Sequence, residues 1–329
     1  MCTIVSREEL VLTAASMYYL QDIKMEAIAS RLHMSRSTVS RMLKDARASG
    51  LVSITLRHAP SRAPEIAQRI SDHFGVEAYV VPVSDSASTQ ERLDQVATAT
   101  ARKVADWFDS DMLLGIAWGT TLSAVAQHLP VKSTRGSMIV QLNGSANNRT
   151  SGSEHAGHLL SRFGEAFDAR VQEFPVPAFF DYASTRQAMW RERSIARVLD
   201  MQRRADIALF SIGAVGGQVP SHVYSAGYLE PADIRVLEAE GVVGDVCTVF
   251  LRADGTYEDL RLNERATGPT PAELSHVPRR VCAVAGDSKV IPLHAALRAG
   301  AITHLILDEQ TAQGLGARLG GSTSTGVDG

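Results

Sequence analysis

Met25-Glu-Ala-Ile-Ala-Ser-Arg-Leu-His-Met-Ser-Arg-Ser-Thr-Val-Ser-Arg41 sets apolar residues at Ile28, Ala29, Leu32 and Val39 around a short polar break. The spacing predicts a short helix from about Lys24, an abrupt turn, and a second helix from Ser35 to about Ser49, ended by Gly50. Two helices that cross closely need a small residue where they touch, and Ala29 fills that position. Ser35 offers an oxygen to the first free N–H groups of the helix it opens. Val39, Met42, Leu43 and Ala46 form the buried stripe of that helix. Its outward positions are Arg36, Ser37, Thr38, Ser40, Arg41 and Lys44, with Ser35 at the start. These guanidinium, ammonium and hydroxyl groups are able to read base edges or hold phosphates. His33 stands in the turn, where a positive φ usually selects Gly; His is among the other types enriched in that region. The pattern also suits an ordinary three-helix packing unit with a polar outer face. Cap, contact residue, core spacing and basic face together favour a helix-turn-helix that binds DNA.

Working outward, Leu10, Ala14, Met17 and Tyr18 recur at helical spacing and predict a first helix over 6–20. Val52-Ser-Ile-Thr-Leu56 alternates with period two and predicts a strand, serving either as a wing or as plain packing. Residues 1–57 therefore read as a winged-helix-like head, and 58–64, with Pro60 and Pro64 and little hydrophobicity, as a linker. Residues 1–58 hold eight Lys/Arg against five Asp/Glu, while the rest of the chain holds 25 against 31. A basic head on an acidic body is the asymmetry expected when one end meets nucleic acid.

Beyond the linker, strands alternate with helices. Candidate strands are 78–81, 112–117, 138–142, 206–212, 246–251, 280–285 and 304–307. Helical stretches fall at 65–74, 91–108, 153–163, 187–199, 231–240, 288–299 and 309–319. Runs such as Ile207-Ala-Leu-Phe-Ser-Ile212 are almost wholly apolar, which suits a parallel sheet covered on both faces. The fold class is α/β, with a Rossmann-like body over 65–319 and a disordered tail over 320–329.

Three strand ends carry polar loops. Met112-Leu-Leu-Gly-Ile-Ala-Trp-Gly-Thr-Thr-Leu-Ser123 reads as a strand, a glycine turn and a helix start, where backbone N–H groups favour an anion. Gly119 would let the chain approach a ligand, and Thr120 and Thr121 add hydroxyls; a simple Thr-capped turn fits the same letters. A second strand ends at Leu142-Asn143-Gly144-Ser145, followed by Ser151-Gly-Ser-Glu154 at capping-box spacing. A third ends at Val284-Ala-Gly286-Asp287-Ser-Lys289, where Asp287 is the expected N-cap. Lys289 sits in a first helical turn, a disfavoured place for a cation unless an anion is near. Asp245 precedes the strand predicted over 246–251, which places a carboxylate near the strand's start or a turn; a plain turn cap fits the same position. Ligands of open parallel sheets bind outside the carboxyl ends of the strands, so these loops converge on one polar pocket for an anionic, hydroxyl-rich molecule.

The composition excludes other classes. With 329 residues, 45% hydrophobic and 21% charged, the chain suggests about two domains with a real core and is no low-complexity scaffold. No apolar run is long enough for a membrane span, and Arg7, Glu8 and Glu9 interrupt the N-terminus before any signal-peptide core. Cys2, Cys247 and Cys282 are scattered, and His155 and His158 at i, i+3 find no third ligand, so no disulfide framework, metal or cofactor is expected. A cytoplasmic protein is expected.

Head and body together resemble the SorC family of sugar-responsive transcriptional regulators. The segments that carry the resemblance are Tyr18-Tyr19, Gly115-Ile-Ala-Trp-Gly-Thr-Thr121, Phe174-Pro-Val-Pro177, Ala205-Asp-Ile-Ala-Leu-Phe-Ser-Ile-Gly213, Val243-Gly-Asp245, Ala285-Gly-Asp-Ser-Lys289 and Leu307-Asp-Glu-Gln-Thr-Ala312, in family order. The resemblance implies an effector domain similar to sugar-phosphate isomerases and deaminases without their catalysis, and a homodimer or homotetramer on operator DNA. It also implies a phosphorylated sugar or polyol effector, with Gly119, Thr120 and Thr121 on the phosphate and Asp245 and Lys289 on the sugar. Some members carry an Arg shortly after the Ile-Gly pair; Ile212-Gly-Ala-Val-Gly-Gly217 has none. The alternative is a sugar-phosphate isomerase-like enzyme with an accessory DNA-binding head, using Asp245 or Asp287 as base and Lys289 as electrophile or acid.

Overall fold

The protein is described here by a computed structural model covering residues 7–52, 62–147, 152–215 and 221–319. The chain divides into two compact units, residues 1–60 and 61–329. The strand expected over 52–56, the tail and the capping box at Ser151 lie outside the described residues.

In the first unit three helices, Arg7–Tyr19, Met25–Arg31 and Arg36–Ala48, close on one small core. Val11, Ala14, Ala15, Ile28, Ala29, Val39, Met42, Leu43 and Ala46 are all buried in it. The stripe expected of the third helix is buried together with Ile28, Ala29 and Ala14, while Leu10, Met17, Tyr18 and Leu32 are half-buried and Val11 and Ala15 take the deeper places on the first helix. Ser35 caps the third helix: its hydroxyl accepts from Thr38 N at 3.1 Å. His33 takes φ 51°, the left-handed turn conformation expected of it. With so small a core, Ser35→Ala is expected to lower the unit's stability by about 1 kcal/mol, measurable as an earlier thermal transition.

The second unit is built on a seven-stranded, all-parallel sheet. Its strands are β1 (Glu77–Val81), β2 (Leu113–Ile116), β3 (Met138–Gln141), β4 (Arg170–Gln172), β5 (Ile207–Phe210), β9 (Arg279–Val284) and β10 (His304–Asp308), in the order β1-β10-β9-β5-β2-β3-β4. A three-stranded antiparallel sheet, β6 (Ile212–Ala214), β7 (Val242–Val246) and β8 (Val249–Arg252), stands beside it. Alternation along the central strands feeds two cores. Ile207, Leu209, Val281, Ala283 and Ile306 face one, and Ala208, Phe210, Cys282, Val284, Leu305 and Leu307 face the other. Burial on both faces is why these strands read as continuous apolar runs.

Several boundaries differ from the sequence reading, each for a physical reason. The strand expected over 246–251 is a hairpin: β7 turns at Cys247 and Thr248, both at positive φ (50° and 73°), and returns as β8. That turn geometry matches the twist of the paired strands but normally selects Asn-Gly, so Cys-Thr gave no signal. Asp245 consequently lies inside β7, opposite Gly213 and Phe250, rather than before a strand. The run over 206–212 breaks at Ser211, where the chain leaves β5 for β6 in the second sheet. The helix expected over 187–199 is two helices, Ala183–Met189 and Arg193–Arg203. Ala63 and Pro64 open the helix Ala63–Phe74 instead of ending the linker, since proline's fixed φ suits a first helical turn. Gly286, not Asp287, occupies the cap before the short 3₁₀ turn Asp287–Lys289. The helix Val290–Arg298 follows it.

Candidate effector site

After β2 the chain builds β3 and β4 on one side of the sheet; β5, paired to β2's other edge, leads on to β9 and β10. The order reverses between β2 and β5, and the crevice at such a point is where open α/β sheets bind ligands. A cleft of about 290 Å³ opens there. Gly119, Thr120 and Thr121 line it from the end of β2, Asn143 from the end of β3, and Gly286, Asp287 and Lys289 from the end of β9. Asp245 reaches it from the hairpin. The expected site residues are thus brought together, with one exception. Gly144 is not in the lining: its N–H donates to Thr267 Oγ1 at 3.0 Å and its carbonyl accepts from Trp118 Nε1 at 2.8 Å. A Cβ at Gly144 would overlap the Pro177 carbonyl, so this glycine serves close packing rather than the ligand.

Gly119 (φ 153°, ψ 171°) is the N-cap of the helix Thr120–Gln127, and no side chain caps it. The first N–H groups of a helix have no partner within it, so they are available to an anion at the cleft. Ser211 Oγ donates to Thr121 Oγ1 at 3.1 Å and ties the ends of β2 and β5 together. Asn143 is 2% exposed, and its Oδ1 has no hydrogen-bond partner among the described residues. An unpartnered buried acceptor is costly, so it points to a donor on the ligand.

The floor is charged. Asp245 is 4% exposed, and its Oδ2 accepts from Thr248 N at 3.1 Å. Burial pushes its carboxyl above the usual range, against the lowering pull of that N–H and of Lys289. Lys289 Nζ donates to the Ile212 carbonyl at 2.7 Å. Burial lowers its pKa while Asp245 opposes the shift. Desolvation thus drives both groups toward neutrality and their mutual attraction holds the charges. The loop at Gly286 is fixed from beneath, since its N–H donates to Asp308 Oδ2 at 3.1 Å and Thr311 Oγ1 at 2.9 Å. Asp287 is held from the side by Gln310 Nε2 at 2.9 Å.

Sequence reasoning missed Trp118, Thr89, Ser211, His222, Cys247 and Thr248 in this lining. The Trp118 ring, one residue before Gly119, stacks on Tyr228 at 4.8 Å and 23°. Only the adjacency of Trp118 to Gly119 could have flagged it.

In the first unit, Arg36, Ser37, Ser40, Arg41 and Lys44 are exposed and Thr38 is half-buried, all on the helix that Ser35 caps. Ser35 Oγ also lies 2.8 Å from the hydroxyls of Ser37 and Thr38. Arg36 is not free: its Nε meets Glu26 Oε1 at 3.1 Å. Among the described residues, no carboxylate pairs with Arg41 or Lys44.

The chain thus joins a three-helix unit with a basic outer face to an α/β unit that carries a cleft at the switch point of its sheet. The family model "Putative sugar-binding domain" matches residues 59–315. The chain belongs to this family, the SorC-type sugar-binding transcriptional regulators. It is 29% identical over 312 residues to the deoxyribonucleoside regulator of Bacillus subtilis, covering 94% of this chain and 97% of that one. It is 24% identical to the sorbitol operon regulator of Klebsiella pneumoniae over 92% and 96% of the two chains. The crystal structure of a domain of a possible sugar-binding transcriptional regulator from Arthrobacter aurescens TC1 is 49% identical, with TM-score 0.74 over 79% of this chain and all (100%) of that one. The full-length sorbitol operon regulator SorC shares the fold at 24% identity, TM-score 0.75, over 94% of this chain and 99% of its own. Among the described residues, no helix is long and apolar enough to cross a membrane.

Proposed function

We propose that this protein is a DNA-binding transcriptional regulator whose operator affinity is set by a phosphorylated sugar or polyol. The observation that carries the reading is the uncapped helix start at Gly119 facing the Asp245–Lys289 floor. One end suits an anion, and the other suits hydroxyls through a carboxylate acceptor and an ammonium donor. The relatives' names, a deoxyribonucleoside regulator and a sorbitol operon regulator, support a carbohydrate-type effector. The protein acts as a homodimer or homotetramer, so paired heads read half-sites spaced by whole helical turns. Effector binding shifts the population of DNA-competent assemblies, and the coupling is reciprocal.

The test is fluorescence anisotropy on DNA from upstream of the protein's own coding region, at two salt concentrations, with a panel of sugars and their phosphates. Salt-dependent binding that one phosphorylated compound changes by more than about tenfold supports the reading; a response to no compound sinks the sensor. Within the head, Arg41→Ala is expected to cost about 1–3 kcal/mol on operator and less on random DNA, relaxing specificity. Equal losses on both would assign Arg41 to phosphate contact. Arg36→Ala should cost less, because Glu26 already engages its guanidinium.

A further inference from the structure

The cleft is short of positive charge. Among its described lining residues, Asp245 and Asp287 are carboxylates and Lys289 is the one lysine, with no arginine. Lys289 is committed to Asp245 and to the Ile212 carbonyl, and Asp287 is itself an anion at the rim. A dianionic phosphoryl group at the Gly119 helix start therefore needs another cation, and His222 is the remaining side chain in the lining that is able to become one.

His222 does not stand alone. The ring of His155, from the helix Gly152–Phe167, lies 5.4 Å from it, centroid to centroid. His155 Nε2 lies 3.0 Å from Ser123 Oγ, and that hydroxyl donates to the Gly119 carbonyl at 3.1 Å. The imidazole pair is thereby tied to the same helix start that offers the anion its N–H groups. Burial, and then the neighbouring His155, hold the His222 pKa below the usual imidazole range, so it is neutral near pH 7 until an anion lifts it. The titratable groups sharing its surroundings are His155, Asp245, Cys247, Asp287 and Lys289. His158, one turn beyond His155, is exposed.

Resting on the effector reading above, we propose that His222 is a further ligand-contact residue that recognises the phosphoryl charge, with His155 as its positioning residue. Recognition then takes up a proton: the dianion raises the His222 pKa, and affinity for it increases as pH falls toward that of the free imidazole. Phosphate esters are distinguished from the parent sugars by this charge and not only by size.

Sulfate is the clean probe, because it stays a dianion where a phosphate ester would itself titrate. Binding of sulfate to the full-length protein is measured at about pH 6 and about pH 8, with histidine NMR reporting the imidazole pKa values. Wild type is expected to bind several-fold more tightly at the lower pH, with about tenfold the ceiling for a one-unit pKa shift, and the His222 pKa moves upward on binding. His222→Gln should lose that ratio. His222→Arg, charged at both pH values, should bind tightly without pH dependence, which a purely structural role would not produce. His155→Gln should reduce the ratio only partly. An unchanged ratio in His222→Gln overturns the proposal while leaving the anion site at Gly119 standing. Failure of both sulfate and every sugar phosphate to bind wild type would overturn the effector reading and this proposal with it.

Discussion

Gly119→Ala is expected to silence the effector response while leaving operator binding intact. Beyond its chain neighbours, no described residue has an atom within 4 Å of where the new methyl would stand, so the substitution is not excluded by crowding. The obstacle is conformational: φ 153° with ψ 171° is a region that essentially only glycine occupies. Adopting it with a Cβ costs about 1–3 kcal/mol, and the loop relieves that cost by rotating away from the ligand-ready geometry. That rotation displaces the first helical N–H groups, those of Thr120 and Thr121 together. Effector affinity should therefore fall by about tenfold or more, read as a shifted effector midpoint in operator-anisotropy titrations. Gly300→Ala is the matched control: φ is 70° and, among the described residues, nothing beyond its chain neighbours lies within 4 Å, yet Gly300 is not part of the cleft. It should lower the unfolding midpoint without moving the effector midpoint. A Gly119→Ala protein with a normal response would mean that the ligand does not rest on this helix start.

How much of this was legible in the sequence depended on whether the signal was local. Val39, Met42, Leu43 and Ala46 recur at helical spacing on one helix, and a buried stripe leaves that mark wherever it occurs. Likewise β5, β9 and β10 are buried on both faces, so their apolar runs had no competing interpretation. The edge strand β4 carries Arg170, Val171 and Gln172, exposed or half-buried, and left no pattern to read. The Cys247–Thr248 turn was hidden because its residues are β-formers flanked by Val246 and Val249, while the conformation is imposed by tertiary packing. Site residues were visible where they followed a strand within a few positions, as Thr120, Asn143 and Lys289 do. His222 enters the cleft from a segment after β6, and no spacing rule connects it to Gly119 or to His155. The pair His155 and His158 invited comparison at i, i+3, yet the partner His155 meets in space is His222, 67 positions on.

The hairpin beneath the cleft yields the largest expected stability effects, and two glycines that touch it should respond differently to one added methyl. Gly213 pairs with Asp245 across β6 and β7, and a Cβ there would overlap Asp245 Oδ1. The obstruction is a side chain, so Asp245 is able to yield, giving up the bond from Thr248 N. Yielding of this kind, the lost hydrogen bond included, costs about 1–3 kcal/mol. At Gly268 the methyl would overlap the Cys247 carbonyl, which is main chain in a turn already at positive φ, so no rotamer change relieves it. Gly268→Ala should therefore be the more damaging, about 3 kcal/mol or more by urea denaturation. Removing the Asp245 side chain separates the two cases. In an Asp245→Ala background, Gly213→Ala should become nearly neutral, a coupling of about 2 kcal/mol, whereas Gly268→Ala should cost what it did before. The pH dependence carries a matching sign. Because burial raises the Asp245 pKa, the native state binds that proton more tightly than the unfolded chain. This site therefore favours folding increasingly as pH falls through its native pKa, fully so below the ordinary carboxylate range. Asp245→Ala should remove that slope along with the effector response. Equal rescue of both glycine variants would show that the turn, not the carboxylate, absorbs the added methyl.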